Sequence, residues 1–521
     1  MNKKTKMPMY LTAIAALFCF SAALADAPPS AQEKNREVQL SKIPHNHFRK
    51  LIMFAALYPE TAEANEALQR AWSLLSGETS SASHVIAPNF EDIALGCIHL
   101  VEPQAICPPS PSLSKATIEY IDSIATKLPN RKLRGYTART PEEVASLDPN
   151  EVDLARALLL LDGKESNSLS SIEASLDLLA LEILARIGPK ASPETKISAI
   201  NTLLFHEMAF RYPPLSEGKE KAGQFSELSS VLSSRRGICL GTSILYLSLA
   251  QRLDLPLTIY VPPGHIFLGY EDGDHTRVIE TTARGVAPPL ESYLTLSLRK
   301  VPTQHMLAAV GTVAFNRAGE FLRKKEWEKA LEQYRIVQKF DQSNSTLGMT
   351  SLCELLLGNT KRSQQLAQKL LNSPEEHQVE QDMLFLDLSR GFLSQKAAEE
   401  WIGTLSPKKE ELPEKINQLK QLVEENPKSH SLPLYLADLW IEYGKSKEAI
   451  PLIEPIAMLN ESPPSVHYQL SLLYYERADL VQASFHAKKA LEKAKKSGMV
   501  PKPIRQLILK LQEESPDSPP L

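Results

Sequence analysis

The chain has 521 residues, enough for about three domains. Its 58 basic and 62 acidic residues leave a net charge of −4 and are spread along the sequence, which gives no basis for a nucleic-acid partner. Hydrophobic content is 43%, ordinary for a globular protein, and 21 glycines against 37 prolines point to a helix-rich chain with proline-marked junctions.

Residues 1–25 read as a secretory signal. Lys3, Lys4 and Lys6 form a positive start, Tyr10 to Leu24 is uncharged and apolar, and Ala23-Leu24-Ala25 supplies small residues for cleavage before Asp26. An uncleaved anchor is the rival; the run is slightly short for it and Pro8 interrupts its start. Leu17 and Phe18 before Cys19 do not suit a lipoprotein site. No other stretch is long and apolar enough to span a bilayer, so the mature protein is expected to be exported, periplasmic or secreted, with no membrane attachment. Cys97, Cys107, Cys239 and Cys353 then remain. Cys97 and Cys107 are either a local bridge or two buried thiols. If they pair, Cys239 stays free, and a free thiol in an exported protein needs burial or a use.

Residues 26–140 are expected to be a helical N-terminal region, to which no chemistry can be assigned. Apolar residues recur at helical spacing from Phe48 to Leu75, and Leu113 to Leu128 suggests one more helix. From residue 141 the pattern tightens. Thr140-Pro141-Glu142-Glu143 and Ser192-Pro193-Glu194-Thr195 are helix starts, each with a capping hydroxyl, proline in the first turn and an acid behind it. The second start leads into an expected helix over Ile197 to Phe210.

Arg235-Arg236-Gly237-Ile238-Cys239 places a cysteine in the first turn of a helix that continues through Leu253 and stops before Pro256. A helix N-terminus favours an anion, which suits a thiolate nucleophile. The period then changes to two. Strands are expected at Leu257 to Val261, His265 to Glu271 and Thr276 to Thr282, with Asp272-Gly273 as a tight hairpin turn between the last two. A two-residue loop at 272–273 pairs Glu271 with Asp274, and by the same register His265 with Glu280. Directly opposed residues share a face with Cβ atoms about 5 Å apart. Cys239, His265 and Glu280 are therefore a candidate acyl-transfer triad: nucleophile, general base and orienting carboxylate. Asp272 and Asp274 read as turn residues, and Arg235 and Arg236 as either anion-attracting or solvated.

Other chemistries lack their residues. His206-Glu207 is no zinc helix, because Phe210 takes the second histidine position. There is no Gly-rich phosphate loop, and Cys97-Ile98-His99 has no second ligand pair nearby. No metal or cofactor is expected.

From about residue 310 small and aromatic residues recur in a new style. Ala318, Phe321, Ala330, Tyr334 and Val337 form one set, Ala437, Tyr443-Gly444, Ala449 and Ile456 a second, and Ser471, Tyr474, Ala483 and Ala490 a third. Ala449 to Ala483 and Ala437 to Ser471 both match a 34-residue repeat period. Residues 310–498 thus read as stacked tetratricopeptide-like helical hairpins, degenerate over 346–415. The basic run Lys488, Lys489, Lys493, Lys495 and Lys496 coats the last helices, and 513–521 reads as a disordered tail.

Residues 150–290 resemble the transglutaminase-like superfamily, nearest its bacterial branch with a helical lead-in and C-terminal tetratricopeptide repeats. The resemblance is carried by Leu203-Leu204-Phe205, Val231 to Gly237, Cys239, Leu245-Tyr246, Pro263-Gly264-His265 and Glu280-Thr281-Thr282. It implies an α+β core over 141–300, with the Cys helix on an antiparallel sheet, followed by an all-α solenoid. It also implies Cys239 as nucleophile, His265 as base and Glu280 as third member. The acid is Glu where the superfamily usually has Asp, and Leu240 follows Cys239 where many active members carry Trp. The expected function is a thiol enzyme hydrolysing or transferring acyl groups at amide bonds of protein or peptide substrates, with the repeats binding substrate or partner. The alternative is a non-catalytic scaffold on an inert transglutaminase-like fold.

Overall fold

The computed structural model describes residues 29–76, 113–214, 223–273, 275–294, 300–373, 378, 382–403, 409–496, 498 and 500–514. The expected signal segment, Cys97, Cys107 and Asp274 lie outside them, as does the tail beyond residue 514. Among the described residues no helix is long and apolar enough to cross a membrane. The chain divides into two compact units, one ending at Thr258 but taking in Phe267–Ala287, the other formed by Ile259–Ile266 and everything from Pro288 onward.

The first unit holds helices α1 (Pro29–Ser41), α2 (Phe48–Leu57), α3 (Ala62–Ser76), α4 (Lys115–Ala125), α5 (Pro141–Ala145), α6 (Leu154–Leu161), α7 (Ser166–Ile187), α8 (Pro193–Asn201), α9 (Leu228–Ser234) and α10 (Cys239–Arg252). The single helical pattern over 48–75 is two helices, α2 and α3, parted at Tyr58 to Thr61. Trp72 joins them, its ring 6.3 Å from Phe48 and edge-on to Tyr120 of α4 at 4.5 Å. The expected hydroxyl caps form: Thr140 accepts from the N–H of Glu143 at 3.2 Å, and Ser192 from that of Thr195 at 3.3 Å. The helix expected over 197–210 instead ends its α form at Asn201 and widens into a π-helical turn, Thr202–Glu207.

Helix α7 organises this unit. Its Glu173, Asp177 and Glu182 are buried, and a buried carboxylate persists only with a partner. Arg156 of α6 takes Glu173, Arg252 of α10 takes Asp177 at 2.7 Å, and Arg49 of α2 takes Glu182 at 2.9 Å. Arg131 also reaches Asp177, and Arg186 reaches Glu182. The Arg156, Arg252, Arg49 and Arg131 pairs each tie α7 to a different segment, and Arg186 pairs within α7 itself.

Strands β1 (Thr258–Tyr260), β2 (Phe267–Asp272) and β3 (His275–Ile279) are shorter than the alternation suggests, and β4 (Thr303–Gln304) is a further strand that it does not predict. In the first unit β2 and β3 pair antiparallel from Leu268↔Ile279 to Asp272↔His275. The expected register is corrected: Asp272, not Glu271, closes the hairpin, with Gly273 at φ +60 in its loop. Asp-Gly and Gly-Asp are both good two-residue loops. Exchanging them shifts each partner by two residues and leaves every side chain on its original face, so hydrophobic alternation cannot choose between them. His265 precedes β2 and Glu280 follows β3. The ladder therefore does not oppose them.

In the second unit Ile259 and Tyr260 of β1 pair with Gln304 and Thr303 of β4. The rest is helical: α11 (Met306–Arg323), α12 (Trp327–Phe340), α13 (Asn344–Leu356), α14 (Thr360–Leu371), α15 (Met383–Arg390), α16 (Gln395–Ile402), α17 (Leu412–Glu425), α18 (Ser431–Glu442), α19 (Ile450–Ala457), α20 (Pro464–Glu476), α21 (Leu480–Lys496) and α22 (Lys502–Glu514). Successive helices pack as hairpins, α11 on α12, α13 on α14, α17 on α18 and α20 on α21. Small residues make the close approach possible. Ala318, Ala330, Ala437, Ala449, Ala483 and Ala490 are fully buried, and Ser471 Oγ donates to the carbonyl of Ala483 at 2.7 Å. Phe315 meets Tyr334 edge-on at 5.2 Å. Asp387 of α15 is buried and accepts from the backbone N–H groups of His430 and Ser431, capping α18 from another helix.

Between α20 and α21, His467 and His486 are buried with their Nδ1 atoms 3.1 Å apart. Burial first, then His486, Lys493 and Lys489, push His467 down to about 4; Glu492 opposes them, and Glu454 faces His486. His467 therefore stays neutral in the fold where the unfolded chain takes a proton near its ordinary 6.5. Its contribution is complete above pH 6.5 and is lost as pH falls from 6.5 towards 4. Urea unfolding of this unit, followed by tryptophan fluorescence, is expected to lose on the order of 2 kcal/mol over that window. His467→Gln should remove most of that pH dependence; an unchanged slope would exclude His467 as its source.

Candidate functional site

The segment before Cys239 is fixed on both sides. Arg235 ends α9 in the left-handed region at φ 55, and its carbonyl accepts from the N–H of Arg211 at 3.1 Å. The N–H of Gly237 returns a bond to the carbonyl of Arg211 at 3.2 Å, and the N–H of Ile238 donates to the carbonyl of Phe225 at 3.1 Å. Gly241 lies so close to that same carbonyl that a Cβ there would sit 2.0 Å from it. The cap position is Ile238, whose side chain makes no cap hydrogen bond. The first-turn N–H groups of α10 therefore meet no capping side chain, and Cys239, the first residue, carries a half-buried thiol there.

The far end of α10 is equally fixed. Arg252 is fully buried on Asp177 and also donates to the carbonyl of Ser248 at 3.0 Å. Tyr246 reaches Asn201 Oδ1 at 3.1 Å. The helix that presents Cys239 is thus held at its start, middle and end.

Glu280 is the N-cap of a 3₁₀ turn, Thr281–Ala283. It is 6% exposed. Its Oε1 accepts from the N–H of Thr282 at 3.1 Å and from the Thr282 hydroxyl at 2.6 Å. Its own carbonyl accepts from Ala283 and Gly285 at 3.1 and 2.7 Å, so backbone and side chain are both set. The structure brings this turn to the Cys239 helix: Ser243 Oγ and Thr281 Oγ1 are 3.1 Å apart. Ser243 lies one helical turn beyond Cys239 on the same face, and Thr281 follows Glu280 directly. Cys239 and Glu280 therefore belong to one corner of the first unit.

His265 belongs to the second unit. The expected strand position is corrected: His265 is the last position of a turn, its N–H donating to the carbonyl of Pro262 at 3.0 Å, with Pro263 and Gly264 between. Gly264 has φ +74, the conformation that the third position of a Pro-Gly type II turn requires. The half-buried imidazole stacks nearly parallel on Tyr293, ring centres 6.1 Å apart. Tyr293 and Ser243 carried no sequence signal, and Thr281 entered only within the Glu280-Thr281-Thr282 match, because each acts through a contact across the fold. The second described thiol, Cys353, is buried, and burial pushes it up to about 12, which keeps it protonated and unreactive. Among the described residues no three His, Cys, Asp or Glu cluster as metal ligands.

Residues 170–354 match the family model described as "Transglutaminase-like superfamily". They form a transglutaminase-like domain. The matched stretch takes in Cys239, His265 and Glu280 and runs on through α11 and α12 into α13. A comparison with curated proteins finds no match. Among solved structures the chain is similar to a thermophilic TPR protein of Thermus thermophilus, at 16% identity over 39% of this chain and 97% of that one, with a TM-score of 0.20. It is also similar to a tetratricopeptide repeat protein of Parabacteroides merdae, at 16% identity over 69% of this chain and 99% of that one, TM-score 0.20. The hairpin architecture rests on the helix packing of this chain itself.

Proposed function

We propose that the transglutaminase-like domain is a thiol enzyme acting on amide bonds of protein or peptide substrates. The observation that carries this reading is the corner formed by an uncapped helix start bearing Cys239 and a turn bearing a rigidly held Glu280, joined through Ser243 and Thr281. Cys239 sulfur attacks the carbonyl carbon after His265 takes the thiol proton. First-turn N–H groups of α10 stabilise the oxyanion. The C–N bond then breaks, the amine leaves with the proton from His265, and a thioester remains. Water or a second amine attacks it and restores the thiol. Glu280 is the group that orients the imidazole. Residues 1–25 serve as an export signal, so the enzyme works outside the cytoplasm, and N-terminal sequencing of the mature protein should begin at Asp26.

A second reading has its own observation. Glu280 already has a complete task as the cap of its turn, and an inert scaffold needs nothing more of it. Two measurements separate the readings. Cys239→Ala is expected to lower turnover on a peptide amidase and transamidase panel by roughly 10³-fold or more. Alkylation of Cys239 by iodoacetamide, mapped by mass spectrometry against Cys353, is expected to slow about tenfold in His265→Ala. Unchanged turnover together with an unchanged alkylation rate leaves the scaffold.

A further inference from the structure

The second unit contains a cavity of about 420 Å³ walled by the start of α13 and by α15, α18 and α20. Its charged lining residues are Asp382 and Asp438, both acidic; among the described residues no lysine or arginine lines it. The two carboxylates are held in place. Asp438 Oδ1 accepts from Gln469 Nε2 at 2.8 Å, and Asp382 Oδ1 from the N–H of Leu384 at 2.8 Å. The second oxygen of each has no hydrogen-bond partner among the described residues. Tyr435, one turn before Asp438, lies in the same wall with its ring packed on Trp401 at 4.9 Å. Burial and the nearby Asp382 and Asp438 hold its phenol protonated far above the usual range. Two oriented carboxylates around a fixed aromatic ring complement one ligand chemistry, a cation on a flexible stem.

One wall residue identifies where such a ligand would lie. Pro263 lines the cavity, and it sits in the turn that ends at His265. Hydroxyls and amides in the lining, Ser345, Ser465 and Gln469 among them, offer partners to a main chain. We propose that this cavity is a specificity subsite for a lysine or arginine side chain of a peptide substrate, held beside the turn that carries His265. The basic side chain is recognised, not consumed. The inference rests on the enzyme reading for the direction of the substrate, and its binding step is independent of it.

The test uses the full chain as Cys239→Ala, so that binding is measured without turnover. Fluorescence polarisation compares a labelled Gly/Ser peptide with a central lysine, the same peptide acetylated on that lysine, and a glutamate version. The lysine peptide is expected to bind at least tenfold more tightly than the other two. Asp438→Asn and Asp382→Asn, which keep the shape and the helix cap, should each erase most of that preference while circular dichroism and melting stay unchanged. Three results overturn the proposal: equal affinities for the three peptides, a preference that survives both substitutions, or competition by spermidine as strong as by the lysine peptide, which would assign the cavity to a free polyamine. If the wild type shows no amide turnover yet the lysine preference holds, only the enzyme reading falls. If it turns over acetylated and lysine peptides alike and binds them alike, only the subsite falls.

Discussion

Asp177→Ala is expected to destabilise the first unit by about 3–5 kcal/mol. Asp177 is fully buried and faces two guanidinium groups, Arg252 at 2.7 Å and Arg131. Removing it leaves Arg252 without its ion-pair partner and without solvent to turn to, because it too is fully buried, while Arg131 keeps only the exposed Asp122. The pair lies at the end of α10, the helix that begins at Cys239. Loss of the carboxylate should therefore also slow Cys239 alkylation, although Asp177 is far along the chain from the thiol. Chemical unfolding of the variant checks the stability, and the exposed Lys489–Glu492 pair gives the scale: Glu492→Ala should cost less than about 1 kcal/mol. A loss below about 1 kcal/mol for Asp177→Ala would mean that the buried network does not hold α10.

Gly241→Ala is the second. A Cβ at 241 would stand 2.0 Å from the carbonyl oxygen of Phe225 and 2.7 Å from Val231 Cγ2. The first of these is backbone, which cannot swing aside. That same oxygen accepts from the N–H of Ile238, the residue before Cys239. The methyl must push α10 away from Phe225 and strain the bond that sets the helix start. A cost of about 2–4 kcal/mol is expected, with alkylation and turnover at Cys239 reduced even at temperatures where the variant is folded. Gly319→Ala is the control. Its nearest neighbour would be a flexible Arg323 nitrogen at 3.8 Å, so the better helix former should stabilise α11 by up to about 1 kcal/mol. Equal melting temperatures for the two variants would dismiss close approach as the reason for Gly241.

Signals are legible in the sequence where the physics is local. Thr140 and Ser192 cap their helices because a hydroxyl beside a proline-started helix has a donor within three residues. The small-residue rows at Ala318, Ala330, Ala437 and Ala483 are buried where hairpins pack, because only small side chains admit that spacing. The cysteine stands at the first turn of α10, because Pro256 and the apolar run from Ile244 to Leu253 leave little freedom for the helix. The alternation overextends the strands, and it leaves the hairpin register open, since two good loops preserve the same faces. The alternation puts His265 on a strand, where a Pro-Gly turn sets it two residues before Phe267.

The amino-acid sequence by itself determined the element types, the helix starts, the repeat period and the identity of the candidate thiol, imidazole and carboxylate. These depend on neighbours within a few residues, or on a period that repeats. The tertiary structure alone decided which charges neutralise one another, as Asp177 with Arg252 across 75 positions. It decided that Glu280 is held by Thr282 and its turn joined to the Cys239 helix through Ser243 and Thr281. It also gathered Asp382, Asp438 and Tyr435 with Pro263 around one cavity. Each of these contacts depends on how separate helices pack, and packing is a property of the whole fold rather than of any segment.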